Sequence, residues 1–222
     1  KNKGWNSHIM DLANPKWRDF LVERIITPLW NEGYRGFFLD TLDSYYQLKL
    51  SPEQIRQQQA GLVEVIKRIK KKYPNAKLIA NRGFEVMQDI AADIEAVAAE
   101  SLYSEWSASK KTYQPVSESS RTWLMNKLKT IQSSYKLPVV VIDYVPANQR
   151  EEARQIAKKI IDAGFIPWVS TVNLDRIGMS TIEVIPRKVM LVYAQKDDKN
   201  QHLSTTVSAF DYGAFTLEHM GF

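Results

Sequence analysis

Cysteine is absent from all 222 residues. That removes disulfides, thiolate metal sites and a cysteine nucleophile together. Histidine is nearly absent: His8, His202 and His219 are the three, and they show no metal-ligand spacing. No apolar run approaches the roughly 18 residues that a membrane span needs, and no signal segment is visible. Strong charge of one sign is missing too. The formal net charge is +5, but Lys67-Arg68 and Lys70-Lys71-Lys72 read as a solvated helix end, so no nucleic-acid partner is expected. Lys1 is not a natural start, and the chain is read as a piece of a longer, multidomain protein. The lack of cysteine suits an oxidising envelope compartment.

What remains is ordinary globular material, 44% hydrophobic and 25% charged, enough for a substantial core. The organising stretch runs from Gly33 to Tyr45. Gly33 stops a helix, Gly36-Phe37-Phe38-Leu39 is a short apolar run, and Asp40 ends it in a polar, aromatic loop. Such a run suits a parallel strand buried on both faces. A carboxylate at its C-terminal end stands where α/β enzymes place catalytic groups; as a plain turn or cap residue it would be unremarkable.

The same alternation recurs along the chain. Trp5 to Leu12 reads as a short strand. Asn14-Pro15 starts a helix that runs to about Glu32, with Phe20, Leu21, Ile25 and Leu29 at inward spacing. Ser51-Pro52-Glu53-Gln54 is a capping box opening a helix to Lys72, with Leu62, Val65, Ile66 and Ile69 inward. Strands are expected at Lys77–Asn81, Ala96–Glu100, Pro138–Tyr144 and Phe165–Ser170. Helices are expected around Glu85–Ala92, Ser117–Ser134 and Ala147–Ala163. Strand-helix alternation with short connections predicts a parallel sheet with right-handed crossovers. Five such units fit the later part of a (β/α)8 TIM barrel whose first strands precede Lys1. Pro186 marks a boundary: residues 1–185 form the barrel portion, and 186–222 open a second α/β unit, with a strand at 187–194 and a helix at 208–220.

The strand ends carry Asp40, Asn81-Arg82, Glu100, Asp143-Tyr144 and Trp168. Asp40 and Glu100 are far apart in sequence but able to face one cleft. Two carboxylates flanking a glycosidic bond are the minimum equipment for glycoside hydrolysis. Tyr45, Tyr46, Tyr103, Trp106, Tyr144 and Trp168 offer faces on which sugar rings stack, or simply pack the fold. A catalytically silent carbohydrate-binding barrel is the alternative, and Asp40, Asp43 and Glu100 as oxygen ligands to Mg²⁺ a third.

Gly36-Phe37-Phe38-Leu39-Asp40-Thr41-Leu42-Asp43-Ser44-Tyr45, Asn81-Arg82-Gly83-Phe84-Glu85 and Ala98-Ala99-Glu100-Ser101 closely resemble glycoside hydrolase family 114, over roughly Trp5 to Ser170. The resemblance implies a TIM barrel acting as an endo-α-1,4-polygalactosaminidase, or on an N-acetylgalactosamine-containing, Pel-like biofilm exopolysaccharide in the periplasm or outside the cell. It makes Asp40 the nucleophile or base and Glu100 the acid, with Asp43 the rival of Asp40. Asn81, Tyr103 and Tyr144 become substrate contacts. Arg82, Tyr45, Asp143 and Trp168 join them as neighbours at the strand ends. No metal and no cofactor is implied. Retention of anomeric configuration is expected, because acids leaving buried strands have little room to splay.

Overall fold

The computed structural model describes residues 8–183. The chain divides into two compact units, Lys1–Ile182 and Glu183–Phe222. The elements expected after Pro186 lie outside the described residues.

Residues 8–12, the described part of the expected first strand, are a loop instead. Gln58, from the helix Pro52–Lys72, takes a backbone bond that a strand partner would otherwise take. Its Oε1 accepts from the Leu12 N–H at 2.8 Å, and its Nε2 donates to the Asp11 carboxylate. Gly61, one turn on, allows the approach: a Cβ there would lie 2.0 Å from the Leu12 carbonyl oxygen.

Asn14 caps the first helix by accepting the Lys16 N–H, with Pro15 at its start. The helix runs Pro15–Phe20, widens into a π turn over Leu21–Ile26, and resumes at Thr27–Asn31. Pro28 accounts for the widening, since its ring would clash with the carbonyl four residues back in a regular α-helix. The buried pair is Val22 and Ile26. Phe20 and Ile25, expected inward with Leu21 and Leu29, are each 43% exposed. Phe20 stacks on Trp17, and Ile25 lines a mainly apolar cavity of about 740 Å³ beside Phe37 and Phe38. Leu21 and Leu29 are partly buried against the core. Gly33 ends the helix at φ 106°, a conformation that glycine adopts without strain.

Ser51 and Gln54 form the predicted reciprocal capping box, worth about 1 kcal/mol. The helix they open buries Leu62, Val65, Ile66 and Ile69 as the spacing requires. Its basic last turn is partly neutralised, Lys70 by Glu95 and Lys72 by Glu23. Glu118–Thr130 and Arg150–Asp162 are the later long helices, while the segment after Gly83 breaks into short turns around Met87–Ile90.

The five main strands are β1 (Gly36–Leu39), β2 (Lys77–Asn81), β3 (Ala96–Glu100), β6 (Val139–Tyr144) and β7 (Ile166–Ser170). They form one parallel sheet in the order β1-β2-β3-β6-β7. The fold is α/β as expected, and the five strands do not close into a barrel. Alternation along each strand sorts the side chains onto two faces. Phe37, Leu78, Val97, Ala99, Val139, Val141 and Val169 enter the main core, where Ile66, Leu124, Leu128, Ile156 and Ile160 of the helices meet them. The opposite face carries Ile79, Ala98, Val140, Ile142, Tyr144 and Trp168. One element was not expected: a hairpin of β4 (Ser104–Ser107) and β5 (Thr112–Pro115), pinned by the facing pair Trp106 and Tyr113 with rings 4.8 Å apart.

Candidate active site

Register places the acids. Leu39 pairs with Ala80, so Asp40 lies beside Asn81; Asn81 pairs with Ala98, two residues short of Glu100. Asp40, Asn81 and Glu100 therefore rise from three neighbouring strands on the face opposite the main core. Each is followed by a left-handed residue: Thr41 at φ 60°, Arg82 at 63° and Ser101 at 66°. For non-glycine residues this costs about 1–2 kcal/mol apiece, most pointedly for the β-branched Thr41. Strain repeated at three adjacent strand ends is a mark of a functional rim.

Asn81 joins the acids. Its Nδ2 donates to Asp40 Oδ1 and to Glu100 Oε1, both at 2.8 Å. Two oxygens each 2.8 Å from one nitrogen lie no more than about 5.6 Å apart, twice the bond length. The two carboxylates also set the amide's orientation, because the reversed amide would turn its oxygen on both of them. Asn81 is 7% exposed, and its Oδ1 is buried without a partner among the described residues. Asp40 Oδ1 also accepts the Thr41 N–H at 2.7 Å. Glu100 Oε2 accepts from the Tyr144 hydroxyl at 2.7 Å. Burial, and then the hydrogen bond and charge of Glu100, hold the Tyr144 phenol well above its usual range, so it keeps its proton.

The other expected residues divide. Arg82 borders the acids, with Nη2 3.4 Å from the Glu100 carbonyl oxygen and Nη1 4.0 Å from Asp43. Asp43 shares the loop of Asp40 and opens the turn Ser44–Gln47, with no bond to Asn81. Trp168 lies on the same face as Tyr144, its indole so close to Gly178 that a Cβ there would sit 2.6 Å from the ring.

Tyr45, Tyr103 and Asp143 are not cleft residues. Tyr45 is 2% exposed and tilted on Tyr46; burial raises its phenol above the usual range. Tyr103 packs on the main core and reaches the Lys159 carbonyl with its hydroxyl at 3.3 Å, and burial raises its pKa as well. Asp143 is fully buried on the helix-covered face, its two oxygens accepting the N–H groups of Leu102, Tyr103 and Ser104 at 2.7–3.1 Å. It anchors the loop after Glu100. Desolvation pushes its carboxyl up to about 6, against the pull of those three bonds.

Asn81, expected as a substrate contact, bridges the two acids. Two residues were not foreseen. Glu105 and Trp123 border a cavity next to Arg82 and Ser101. The hairpin that carries Glu105 has no Gly or Asn-Gly turn signal, its bend resting on Lys111 at φ 51°. Among the described residues no group of three or more His, Asp and Glu could hold a metal ion, and no helix is long and apolar enough to cross a membrane.

The family model for glycoside hydrolase family GH114 matches residues 1–185. Among solved structures, the glycoside hydrolase domain of PelA from Pseudomonas aeruginosa is 38% identical, with a TM-score of 0.75. The match covers 82% of this chain and 71% of that one. A variant of the same domain with one glutamate replaced by alanine matches with the same values. No curated protein matches the chain.

Proposed function

Because the chain belongs to glycoside hydrolase family 114, we propose that it cleaves an α-1,4-linked galactosamine or N-acetylgalactosamine exopolysaccharide with Asp40 and Glu100 as the catalytic pair. The bridge from Asn81 Nδ2 to both carboxylates carries this reading. A spacing of no more than about 5.6 Å between the bridged oxygens fits a retaining pair, about 5–5.5 Å, better than an inverting pair at about 6.5–9.5 Å.

Asp40 attacks the anomeric carbon as Glu100 protonates the departing glycosidic oxygen. Glu100 then removes a proton from water, whose oxygen attacks the same carbon and releases Asp40. Tyr144 serves Glu100 in both states, since a hydroxyl can donate to the carboxylate and turn to accept from the acid. The likeness to the PelA hydrolase domain supports a polymer of the Pel type as substrate. A place in the periplasm or outside the cell, and a longer multidomain chain as the natural context, belong to the same proposal.

The test is digestion of defined α-1,4-galactosamine oligomers, with product anomers followed by NMR. Asp40→Asn and Glu100→Gln are expected to lose at least about 10²–10⁴-fold in rate, with Asp43→Asn much closer to the parent. The α-anomer should appear first. A dead Asp43→Asn beside an active Asp40→Asn would move the nucleophile to Asp43. Binding without any cleavage would make the protein a carbohydrate-binding barrel, and the β-anomer first would show inversion.

A further inference from the structure

Asp40 is exposed, so the place of its carboxylate depends on its hydrogen bonds and on the backbone that carries it. Its Oδ1 accepts from the Thr41 N–H and from Asn81 Nδ2. Thr41 is left-handed at φ 60°, and a strained conformation persists only where the surroundings over-determine it. The turn after it is closed by the Ser44 N–H on the Thr41 carbonyl at 3.2 Å.

Leu42 stands inside that turn and points away from the cleft. It is 8% exposed and belongs to the main core, between an exposed Thr41 and a half-buried Asp43. Its neighbour there is Gly83, in the loop that starts at Asn81. A Cβ on Gly83 would lie 3.1 Å from Leu42 Cδ1 and 4.0 Å from Val86 Cγ2. Gly83 is left-handed at φ 70°, and the Val86 N–H closes its loop on the Gly83 carbonyl at 3.2 Å. Leu42 thus seats in a notch left by a missing side chain, two residues from Asp40 and two from Asn81. The polar link between the same loops, Arg82 to Asp43, is 4.0 Å long and more than a third exposed at both ends. An ion pair of that kind fixes little.

We propose that Leu42 is a positioning residue for Asp40: seated on Gly83, it locks the loop of the nucleophile to the loop of Asn81 and so keeps the two acids in register. The inference rests on the glycosidase reading for its effect on catalysis. Leu42 is buried away from the cleft, so its loss is felt in turnover and not in substrate binding. A displacement of about 1 Å at the reacting atoms costs about 10²-fold in rate.

Kinetics on an α-1,4-galactosamine oligomer test it, read well below the melting temperature of each variant. Leu42→Ala is expected to lower kcat about 10²-fold and to leave KM within about twofold, the pattern of an interaction that acts only in the transition state. Leu42→Met conserves volume and should return kcat to within about threefold of the parent. Leu42→Val removes one methylene and carries the same test in milder form should Leu42→Ala fail to fold. Leu128→Ala makes an equal truncation in the helix Glu118–Thr130, at a site 0% exposed; it should lower the melting temperature with kcat within about threefold. A second reading needs no cleavage: the Asn81 side-chain amide resonances, assigned by their loss in Asn81→Ala, should move in Leu42→Ala and stay in place in Leu128→Ala. A normal kcat in Leu42→Ala, a raised KM in place of a lowered kcat, an equal kcat loss in Leu128→Ala, or an unmoved Asn81 amide would each overturn the assignment. If the unaltered protein cleaves nothing, the glycosidase reading fails, and the Asn81 amide still decides whether Leu42 sets the register.

Discussion

Asp143 and Tyr144 are neighbours in β6 and face opposite sides of the sheet. The phenol of Tyr144 meets Glu100, while the carboxylate of Asp143 gathers the N–H groups of residues 102–104 behind it. One strand thus fixes the acid from both directions. Tyr144 holds its tip, and Asp143 holds the loop into which Glu100 leads.

Asn81→Ala removes the donor shared by the two carboxyl groups and leaves them close together with nothing to hold their spacing. Hydrolysis of a galactosamine oligomer should fall by about 10²-fold, the scale of losing one preorganised donor. Asn81→Asp, with a third acid in the same place, should be worse. Both are read as kcat/KM beside a melting curve, and full activity in Asn81→Ala would mean that the bridge is incidental.

Asp143→Ala leaves three N–H donors without their acceptor and should cost about 3 kcal/mol or more. In a domain of this size that lowers Tm by roughly 6–12 °C. The carboxyl also predicts a pH dependence. Its folded value of about 6 stands above the ordinary 3.8, so between these values the folded state binds more proton than the unfolded. Stability contributed by this group is complete below about pH 4 and is lost as pH rises to about 6, by about 3 kcal/mol at most. Denaturant midpoints across that window should show the fall in the native protein, and Asp143→Asn should flatten it.

Gly61→Ala places a methyl group against the Leu12 backbone, where no flexible side chain can give way. Overpacking of this kind costs about 1–3 kcal/mol. Thermal unfolding should show the loss, and the Gln58 contacts to Asp11 and Leu12 should loosen with it, visible as faster amide exchange at Leu12.

Exhaustive EDTA treatment should leave hydrolysis unchanged, because a pair of carboxylates suffices for the proposed displacement. Loss of activity that Mg²⁺ or Ca²⁺ restores would replace the pair with a metal mechanism.

The main frame of the fold is legible in the sequence wherever pattern and punctuation agree. Ser51-Pro52-Glu53-Gln54 opens its helix as read, and Lys77–Asn81 and Ala96–Glu100 are strands with the expected limits. Where they disagree, packing decides. Pro28 was the visible warning in the first helix: the π turn before it accompanies a buried pair, Val22 and Ile26, outside the expected set. The same period of two that predicted β6 also separates Asp143 from Tyr144, so the two could not have shared a cleft. Tyr45 and Tyr103 lie beyond strand ends, where sequence gives no direction to a side chain. The joining of Asp40 to Glu100 through Asn81 depends on strand order and register, which emerge only when distant segments pair.

Arg82 and Ser101 have a practical meaning for protein engineering. Each is one peptide bond from a residue of the acid bridge, yet its side chain belongs to the neighbouring cavity. A library confined to these two positions, weighted toward Gly, Asn and Asp because the left-handed backbone tolerates them best, would reshape the cavity they share with Glu105 and Trp123 while sparing Asp40, Asn81 and Glu100. Under the proposed function, diversification of polymer preference can start there.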